Sequence, residues 1–330
     1  MNKVEYTPPY TITNKTLNLV SNITERLIRI SINEKCNSNP KLRRENRVKT
    51  IQASLGIENN TLSIKQVTDI INGKRVLGEP KEICEVKNAF EAYEILLQKN
   101  PNSIDHLLYM HNILMKDLNK ETGRFRSKGV GVFAGKTLVH MAPPANQIPN
   151  LIKNLFDWFQ NSDEIHPLIK SCVFHYEFEF IHPFSDGNGR MGRMWQTLIL
   201  YKWKEIFAWL PIETLIKEKQ DDYYKILGEC DKKADSGKFI EFILDTIYKT
   251  LIETGVTEQV TEQVTEQVQN LLKVLGNTSL STKEIMEKLG LKHRPTFRDN
   301  YLLPAIKNGL VEMTIPEKPK SSKQKYKIKN

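Results

Sequence analysis

Two features that would direct a protein into a membrane or out of the cell are missing from this sequence. Its 330 residues contain no run of roughly 18 uncharged apolar residues, because the most apolar segment, 195–210, is interrupted by Lys202, Lys204 and Glu205. The first twenty residues also lack the basic segment followed by an apolar one that a secretion signal requires. We therefore expect no membrane-spanning segment and no membrane partner, and we expect the protein to stay in the cytoplasm.

Cysteine is scarce and scattered. The four cysteines are Cys36, Cys84, Cys172 and Cys230, which form no C-x-x-C pair and have no histidine at metal-ligand spacing. This spacing argues against a disulfide framework and against a zinc site. Hydrophobic residues, in contrast, make up 39% of the chain, which is enough to bury a core, and the length is typical of about two domains.

Positive charge is concentrated near the C-terminus. The whole chain has a formal net charge of +9, and residues 269–330 contain 13 lysines and arginines against five acidic residues, a net charge of +8. A basic field of this kind attracts nucleic acid or keeps a surface solvated. Charge alone does not decide between these two uses.

The spacing of apolar residues predicts a mainly α-helical fold. Apolar positions recur at helical spacing through most of the first 120 residues and again over 148–160, 168–181 and 191–207. Residues 123–141 instead alternate glycine, β-branched and aromatic residues around Ala134-Gly135-Lys136, which predicts a short β-hairpin.

A tandem V-T-E-Q repeat over 256–268 separates the basic tail from the rest of the chain. Its four valines are spaced four residues apart and would form one stripe on a helix, but β-branched residues have low helix propensity. An amphipathic helix and a flexible linker therefore both stay open. Beyond the repeat we predict a helix, a second helix with a capping box from Ser281 to Glu284, a turn at Gly290, a third helix over 295–308 and two strands. This order is typical of a winged helix-turn-helix.

The candidate site is the segment HPFSDGNGRMGR over 182–193, which should join two helices. Gly187 and Gly189 allow close backbone approach, and a helix starting at 188–190 offers unpaired N–H groups at the positive end of its dipole. The loop is therefore expected to hold an anion such as phosphate.

Charged side chains surround this loop in the sequence. Arg190 and Arg193 lie three residues apart and have the fork geometry that suits phosphate oxygens. Asp186 offers the hard oxygen ligand that Mg²⁺ prefers, and His182 offers a base with an ordinary pKa of about 6.5. A base, a metal ligand and a phosphate clamp thus lie within one short segment.

The segment resembles the signature of the Fic family (Fic/Doc, or Fido), H-P-F-x-[D/E]-G-N-G-R-x-x-R, and it matches every specified position. The resemblance implies a helical Fic core with a short β-hairpin flap that transfers AMP from ATP to a Ser, Thr or Tyr hydroxyl of a target protein, or of this chain itself. Gly189 favours nucleotide transfer, because the Doc branch, which transfers phosphate, replaces that glycine.

The resemblance also assigns roles to individual residues. His182 would take the proton from the attacking hydroxyl, Asp186 would bind Mg²⁺ at the α- and β-phosphates, and Phe184 would anchor the loop in the core. The implied nucleotide contacts are Gly187, Asn188 and Gly189 at the α- and β-phosphates, Arg190 at the β-phosphate, Arg193 at the γ-phosphate, Met191 and Gly192 in the same turn, and Tyr223 and Tyr224 near the adenine and ribose. Paired tyrosines on a helix also often belong to a core, so the last assignment has that alternative.

A second motif lies upstream. The segment from Ser54 to Asn59 resembles the family's inhibitory pattern, [S/T]-x-x-x-E-[G/N], in the N-terminal arrangement called class II. Glu58 paired with Arg193 would occupy the arginine that the γ-phosphate needs, so that ATP would bind only unproductively. The alternative is a solvated carboxylate at a helix end, and a role of Glu58 in removing AMP stays open. Gly56 should loosen this helix by up to about 1 kcal/mol relative to alanine.

These observations predict four segments: an N-terminal helical region with the inhibitory motif over 1–110, a Fic catalytic core over 111–250, a repeat linker over 251–269 and a winged helix-turn-helix over 270–330, as in longer bacterial Fic proteins. A target protein would dock on the 123–141 flap by adding a strand. The alternative function is a DNA-binding regulator or scaffold whose Fic core uses another nucleotide or is silent; Lys292, Arg294 and Arg298 near the expected recognition helix favour it. Self-association stays open.

Overall fold

A computed structural model describes residues 6–32, 40–134, 137–262, 266–276, 278–291, 293–307, 309–317, 321 and 324–329. The chain divides into two compact units, Met1–Ile252 and Glu253–Asn330. Over the described ranges, every helix is too short or too polar to cross a bilayer. The predicted fold class, a mainly helical core with a short hairpin followed by a smaller unit of helices and strands, is confirmed.

The first unit is built mainly from helices. In chain order they are α1 (Asn14–Ile32), α2 (Pro40–Ile57), α3 (Ile64–Ile71), α4 (Pro80–Leu96), α5 (Ile104–Leu114), α6 (Ile148–Asn161), α7 (Pro167–Ile181), α8 (Asn188–Trp203), α9 (Ile212–Glu218), α10 (Gln220–Lys233) and α11 (Gly237–Glu262). The last residues of α11, 253–262, belong to the second unit. Short 3₁₀ turns cover Ala145–Gln147 and Glu205–Ala208. A single hydrophobic cluster joins residues such as Ile51 of α2, Phe174 of α7 and Leu198 of α8. Segments 1–110 and 111–250 thus share one core, and the boundary between them stays a proposed division by role.

Helices α7 and α8 pack against each other and carry the candidate site on their connection. Pro167 starts α7, where its missing N–H costs no hydrogen bond. His182 ends α7 in the left-handed region (φ 50°), and Gly187 (φ 85°) repeats that conformation directly before α8. The two left-handed residues bracket the 182–187 loop, and the predicted helix start near Asn188 is confirmed.

The hairpin is shorter than the sequence predicts. Its strands are β1 (Gly131–Ala134) and β2 (Thr137–Met141), antiparallel with Gly131 opposite Met141. Residues 123–130 form turns and irregular backbone, because the N–H of Arg126 bonds to Pro183 O instead of to a neighbouring strand. Two residues of the predicted turn, 135 and 136, lie outside the described residues.

The second unit combines short helices with a small antiparallel sheet. Its elements are α12 (Glu266–Leu275), β3 (Leu280–Ser281), α13 (Thr282–Lys288), α14 (Arg294–Phe297), a π-helical turn (Arg298–Leu302), α15 (Leu303–Lys307), β4 (Val311–Met313) and β5 (Lys325–Ile328). The strands lie in the order β3-β5-β4, and a separate hydrophobic cluster includes Phe297 and Tyr326.

Local signals in this unit behave as predicted, with two differences. Ser281 and Glu284 form the reciprocal capping box of α13, and Gly290 (φ 67°) makes the turn. Strand β3 is an addition, since two residues carry no readable alternation. The third helix is divided by a π-helical turn rather than being continuous, and residue 308 of its predicted span lies outside the described residues.

The V-T-E-Q repeat is helical where it is described. Helix α11 continues through Val256 and Val260 to Glu262, residues 263–265 are outside the described ranges, and α12 starts at Glu266. Val268 is fully buried in the core of the second unit. Of the two alternatives for the repeat, the helical one applies to these residues.

Candidate functional site

The 182–187 loop is fixed by its own side chains. The N–H of Phe184 donates to Asn188 Oδ1 (2.8 Å), and Asn188 Nδ2 donates back to Phe184 O (2.9 Å). The ring of Phe184 is fully buried and stacks on the His111 ring with 3.6 Å between centroids. Phe184 therefore lies in the core, as predicted, and the amide of Asn188 shapes the loop, so any contact between Asn188 and an anion would come from its backbone.

A neutral histidine supports the loop from below. The N–H of Gly123 donates to His111 Nδ1 (3.0 Å), which leaves Nε2 to donate to Asp186 O (3.0 Å). Burial lowers the pKa of His111 from 6.5 to about 4, so the ring is uncharged near neutral pH. Gly187 has a second reason to be glycine besides its positive φ, because a Cβ there would lie 2.6 Å from Met115 Sδ.

Arg193, on the second turn of α8, is buried and held by α2. Its Nε donates to Ser54 Oγ (3.2 Å), and its Nη2 donates to Ser54 O (3.0 Å) and to Glu58 Oε1 (2.8 Å). Burial acts to lower the pKa of this guanidinium, but the Glu58 carboxylate outweighs it and the pKa lies above its ordinary value. Arg193 therefore stays charged, and the predicted pair with Glu58 exists as a contact.

The Glu58 carboxylate lies over the first turn of α8. A Cβ placed on Gly189 would be only 2.4 Å from Glu58 Oε1 and 3.0 Å from Arg193 Nη1. The bare backbone at 189 thus makes room for a carboxylate at the N-terminal end of a helix, where the helix dipole favours negative charge.

The turn that carries Glu58 follows directly on α2. Asn59 is in the left-handed region (φ 68°), and Gln220 Nε2 of α10 donates to Ile57 O at the last residue of α2 (2.8 Å). Helix α2 is continuous through Gly56, where a Cβ would meet Lys217 Nζ at 2.3 Å. The side chain of Lys217 therefore covers the position that the sequence marks as weak.

Arg190 is the second buried arginine of α8, and one of its two carboxylate partners, Glu85, was missed in the sequence. Its Nη1 lies 3.4 Å from Glu85 Oε1 on α4, and its Nη2 lies 3.1 Å from Asp186 Oδ1. The other oxygen of Glu85 accepts from Asn60 Nδ2 (2.8 Å), two residues after Glu58. Glu85 has no local sequence signal, because it is one of several acidic residues on a charged helix.

Unused donors remain at this place. In the part of the chain that the structure describes, Arg193 Nη1 and Arg190 Nε are buried without a hydrogen-bond partner. Buried donors of this kind are costly unless a ligand or water satisfies them. Both belong to side chains that the sequence predicts as phosphate ligands.

Asp186 is the carboxylate predicted to bind Mg²⁺. Its Oδ1 accepts from the N–H of Gly187 (2.6 Å) and from Arg190, and its side chain is 49% exposed. The described residues contain no cluster of three or more His, Cys, Asp or Glu side chains that could hold a metal alone. A single accessible carboxylate does fit Mg²⁺ that takes its other ligands from substrate phosphates and water.

His182 lies where α7 ends. Its Nδ1 is 3.3 Å from Glu179 O, a contact that suits a protonated Nδ1 and leaves Nε2 as the basic nitrogen. Arg126, which carries no motif and was missed in the sequence, donates from Nε to His182 O (2.7 Å).

The remaining predicted contacts are mostly buried. Tyr223 is 1% exposed, and its hydroxyl lies 3.3 Å from His175 Nε2, so Tyr223 is a core residue, which the sequence left as the alternative. Tyr224 is only partly buried beside it and stays a candidate for contact with a base. Met191 is fully buried, and a Cβ at Gly192 would lie 2.6 Å from Glu179 Oε1, so any contact these two make with a ligand would come from their backbone.

The fold and site together define a helical protein in which a helix N-terminus, two buried arginines, one accessible carboxylate and one histidine lie together. Comparison with known proteins agrees with this description. The Fic/DOC family profile matches residues 101–200, and the profile described as "Filamentation induced by cAMP protein Fic-like, C-terminal domain" matches 266–329.

A crystal structure of a Fic family protein from Desulfovibrio desulfuricans G20 is 51% identical and aligns with a TM-score of 0.76 over 98% of this chain and 99% of that one. The chain belongs to the Fic family.

Two curated relatives have names that state an activity. "Protein adenylyltransferase Fic" of Drosophila willistoni is 29% identical over 209 residues, which are 60% of this chain and 40% of that protein. A "probable protein adenylyltransferase" of Aquifex aeolicus (strain VF5) is 33% identical over 153 residues, 44% of this chain and 45% of that protein. The chain spans half or less of the length of the curated relatives it matches.

Proposed function

We propose that this protein is an autoinhibited protein adenylyltransferase, which transfers AMP from ATP to a Ser, Thr or Tyr hydroxyl of a target protein or of this chain itself. The observation that carries the proposal is the contact between Glu58 and Arg193 over the bare backbone of Gly189. An anionic side chain lies there among donors suited to phosphate. The curated relatives' names support AMP as the transferred group.

The chemistry requires one base and one cradle. The N–H groups at the start of α8 and the guanidinium groups of Arg190 and Arg193 would bind the phosphates. His182 Nε2 would accept the proton of a Ser, Thr or Tyr hydroxyl as its oxygen bonds to the α-phosphorus. The bond from the α-phosphorus to the bridging oxygen then breaks and pyrophosphate leaves.

Asp186 is the residue that would hold Mg²⁺. The ion, when bound with ATP, would neutralise phosphate charge and orient the leaving group. The backbone N–H of Gly187 and the side chain of Arg190 already fix one oxygen of this carboxylate, so its orientation is set before a ligand arrives.

Inhibition in this proposal is competition for one cation. The γ-phosphate needs Arg193, and Ser54 and Glu58 hold three of its donor contacts. ATP would enter productively only after Glu58 leaves, and a signal that moves the end of α2 would release it. This is regulation by an equilibrium between two states, in which ATP binds the open one.

The partners follow from exposed elements. The target would add as a strand beside the β1–β2 hairpin, and Tyr224 would lie near the base of ATP. Residues 270–330 would form a winged helix-turn-helix joined through the 251–269 repeat. The compartment proposed is the cytoplasm of a bacterium.

The direct test is incorporation of labelled ATP with Mg²⁺, read together with intact mass, for the wild type, Glu58→Gly, Glu58→Gln and the double variant Glu58→Gly plus His182→Ala. We expect Glu58→Gly to gain covalent AMP, Glu58→Gln to gain less because it keeps the shape of the contact, and the double variant to gain none. If another nucleotide gave label and ATP did not, that nucleotide would be the donor instead of ATP. If Glu58→Gly incorporated no label from any nucleotide, the proposed enzymatic activity would be refuted.

A second candidate function is DNA binding by the second unit. Arg294 and Arg298 are exposed on successive turns of its third helical segment, and Lys292 lies outside the described residues. Binding of duplex DNA should weaken steeply with salt. Arg294→Ala plus Arg298→Ala should abolish it, whereas Lys273→Ala plus Lys283→Ala, which removes the same charge elsewhere, should weaken it less. Equal losses would indicate only general electrostatic attraction.

A further inference from the structure

Arg126, which belongs to no recognisable sequence motif, makes three contacts with backbone carbonyls at the end of α7. The residue is 3% exposed. Its Nε donates to His182 O (2.7 Å), its Nη2 lies 3.4 Å from Ile181 O, and its backbone N–H donates to Pro183 O (2.9 Å). Three consecutive carbonyls around the histidine are thus bound by one residue from a distant segment.

These contacts answer a structural need. The last carbonyls of a helix have no partner within the helix, and a cation there interacts favourably with the negative end of the helix dipole. His182 also has a left-handed backbone, which a residue other than glycine adopts only when its surroundings hold it. Arg126 supplies both the charge and the hydrogen bonds that hold it.

The same guanidinium also binds both ends of the hairpin segment. Its Nη1 donates to Lys128 O (2.9 Å), before β1, and its Nη2 donates to Pro143 O (2.6 Å), after β2. One planar group therefore joins the backbone of His182 to the two points where the hairpin leaves the core.

We propose that Arg126 is a positioning residue, which fixes the backbone of His182 and holds the base of the 127–143 hairpin in a set place relative to that histidine. The hydrogen bonds of Arg126 go to the end of α7 and to the hairpin segment, so it acts through His182 and the hairpin. Only the chemical consequence rests on the proposed function, while the positioning itself does not.

Arginine is required because of its shape. The guanidinium presents five donors in a rigid fork, whereas lysine presents three donors from one atom. A lysine at 126 could bind one of these carbonyls but could not span those of His182, Lys128 and Pro143 together. The conservative variant should therefore fail, although it keeps the charge.

The experiment compares Arg126→Lys and Arg126→Ala with Arg124→Ala, each in the full chain with Glu58→Gly. Arg124 is a matched control, since it lies two residues earlier, is exposed and forms a long surface ion pair with Glu121 (3.8 Å). We expect kcat to fall about 10- to 100-fold in both Arg126 variants, as a misplaced catalytic group predicts. ATP affinity should stay within about twofold, because no contact of Arg126 reaches the phosphate ligands.

A second readout does not depend on activity. Hydrogen–deuterium exchange should become faster in peptides covering 127–131 and 178–184 in both Arg126 variants and stay unchanged in Arg124→Ala. If Glu58→Gly itself gives no label, the proposed function fails, and exchange alone decides the role of Arg126. The positioning role is overturned if exchange is unchanged, if Arg126→Lys turns over like Arg124→Ala, or if ATP affinity and kcat fall together.

Discussion

The Glu58 carboxylate occupies the space that a side chain at position 189 would need. Oε1 of Glu58 lies 2.4 Å from where a Cβ of residue 189 would be, closer than two such atoms can approach. Residue 189 is helical, with no positive φ that would itself demand glycine. Space for the carboxylate, or for a phosphate in its place, is therefore the reason for glycine here.

Gly189→Ala should consequently change stability in opposite directions in two backgrounds. In the wild type the methyl group displaces Glu58 and weakens its pair with Arg193, which should cost about 1–3 kcal/mol. In a Glu58→Gly protein Arg193 is released from Glu58 and can move its Nη1 away from the new methyl group, which would otherwise be 3.0 Å away. The same change should then stabilise α8 by up to about 1 kcal/mol, because alanine is the better helix former. Thermal unfolding of the four proteins measures both effects. A shift of the same sign in both backgrounds would contradict the shared-space argument.

Ser54→Ala should partly release Arg193 from the inhibitory contacts that Ser54 and Glu58 make with it. Arg193 loses the acceptor of its Nε but keeps the Ser54 carbonyl and Glu58. A hydrogen bond to a charged group contributes about 1.5–3 kcal/mol, so self-labelling should rise by about 10- to 150-fold and stay below that of Glu58→Gly. The matched control is Ser54→Ala added to Glu58→Gly, where no further rise is expected. An additional rise in self-labelling there would mean that Ser54 does not act through the contact between Glu58 and Arg193.

Glu85→Ala should destabilise the first unit strongly. The change leaves Arg190 buried with Asp186 as its remaining carboxylate partner and leaves Asn60 Nδ2 with only its longer bond to Glu82 O (3.3 Å). Removing one partner of a buried ion pair costs about 3–5 kcal/mol when the remaining charge has no other partner. Because Arg190 keeps Asp186, we expect about 3 kcal/mol, which corresponds to a fall in Tm of roughly 6–12 °C in a unit of this size. Glu91→Ala, at an exposed position of the same helix α4, should change Tm little. Equal shifts for the two variants would show that the Glu85 pair contributes nothing.

Glu177 should make the protein less stable as pH rises. Burial raises its pKa, the hydrogen bond from Tyr6 lowers it and the nearby Asp231 charge raises it, so that the pKa moves from 4.5 to about 7. The folded protein therefore holds a proton that the unfolded chain releases. The stability from this proton is complete below about pH 4.5 and is lost as pH rises through about 7.

Glu177→Gln removes this titration and keeps an acceptor for Tyr6. The variant should gain up to about 3 kcal/mol over wild type at pH 8 and little at pH 4.5. Chemical unfolding at both pH values measures the difference, with the exposed Glu164→Gln as control. A gain of the same size at both pH values would assign the effect to packing rather than to the proton.

The contiguous part of the site could be predicted from the sequence because its geometry is local. A glycine-rich loop between two helices sets the helix start at Asn188, and the spacing of Arg190 and Arg193 then places both on one side of α8. The capping box at Ser281 was predictable for the same reason.

What could not be predicted depends on contacts between distant segments. Arg126 and Glu85 have no pattern around them, and their roles appear only when the 123–130 segment meets the end of α7 and α4 meets α8. Burial of Tyr223 against His175 is equally a property of the packed core. The hairpin is short for a similar reason, since Pro183 takes the N–H of Arg126 that a longer β1 would use.

Glu58 and Arg193 belong to the same chain, so their contact does not depend on how much of the protein a cell makes. An inhibitor on a separate chain can be outnumbered or diluted, whereas a carboxylate in the same chain is present once per site at every expression level. Overproduction alone would therefore not release activity in the proposed enzyme. Release would require an anion that competes with Glu58 for Arg193 or a change that moves α2. The activity per molecule would therefore not depend on the amount of protein.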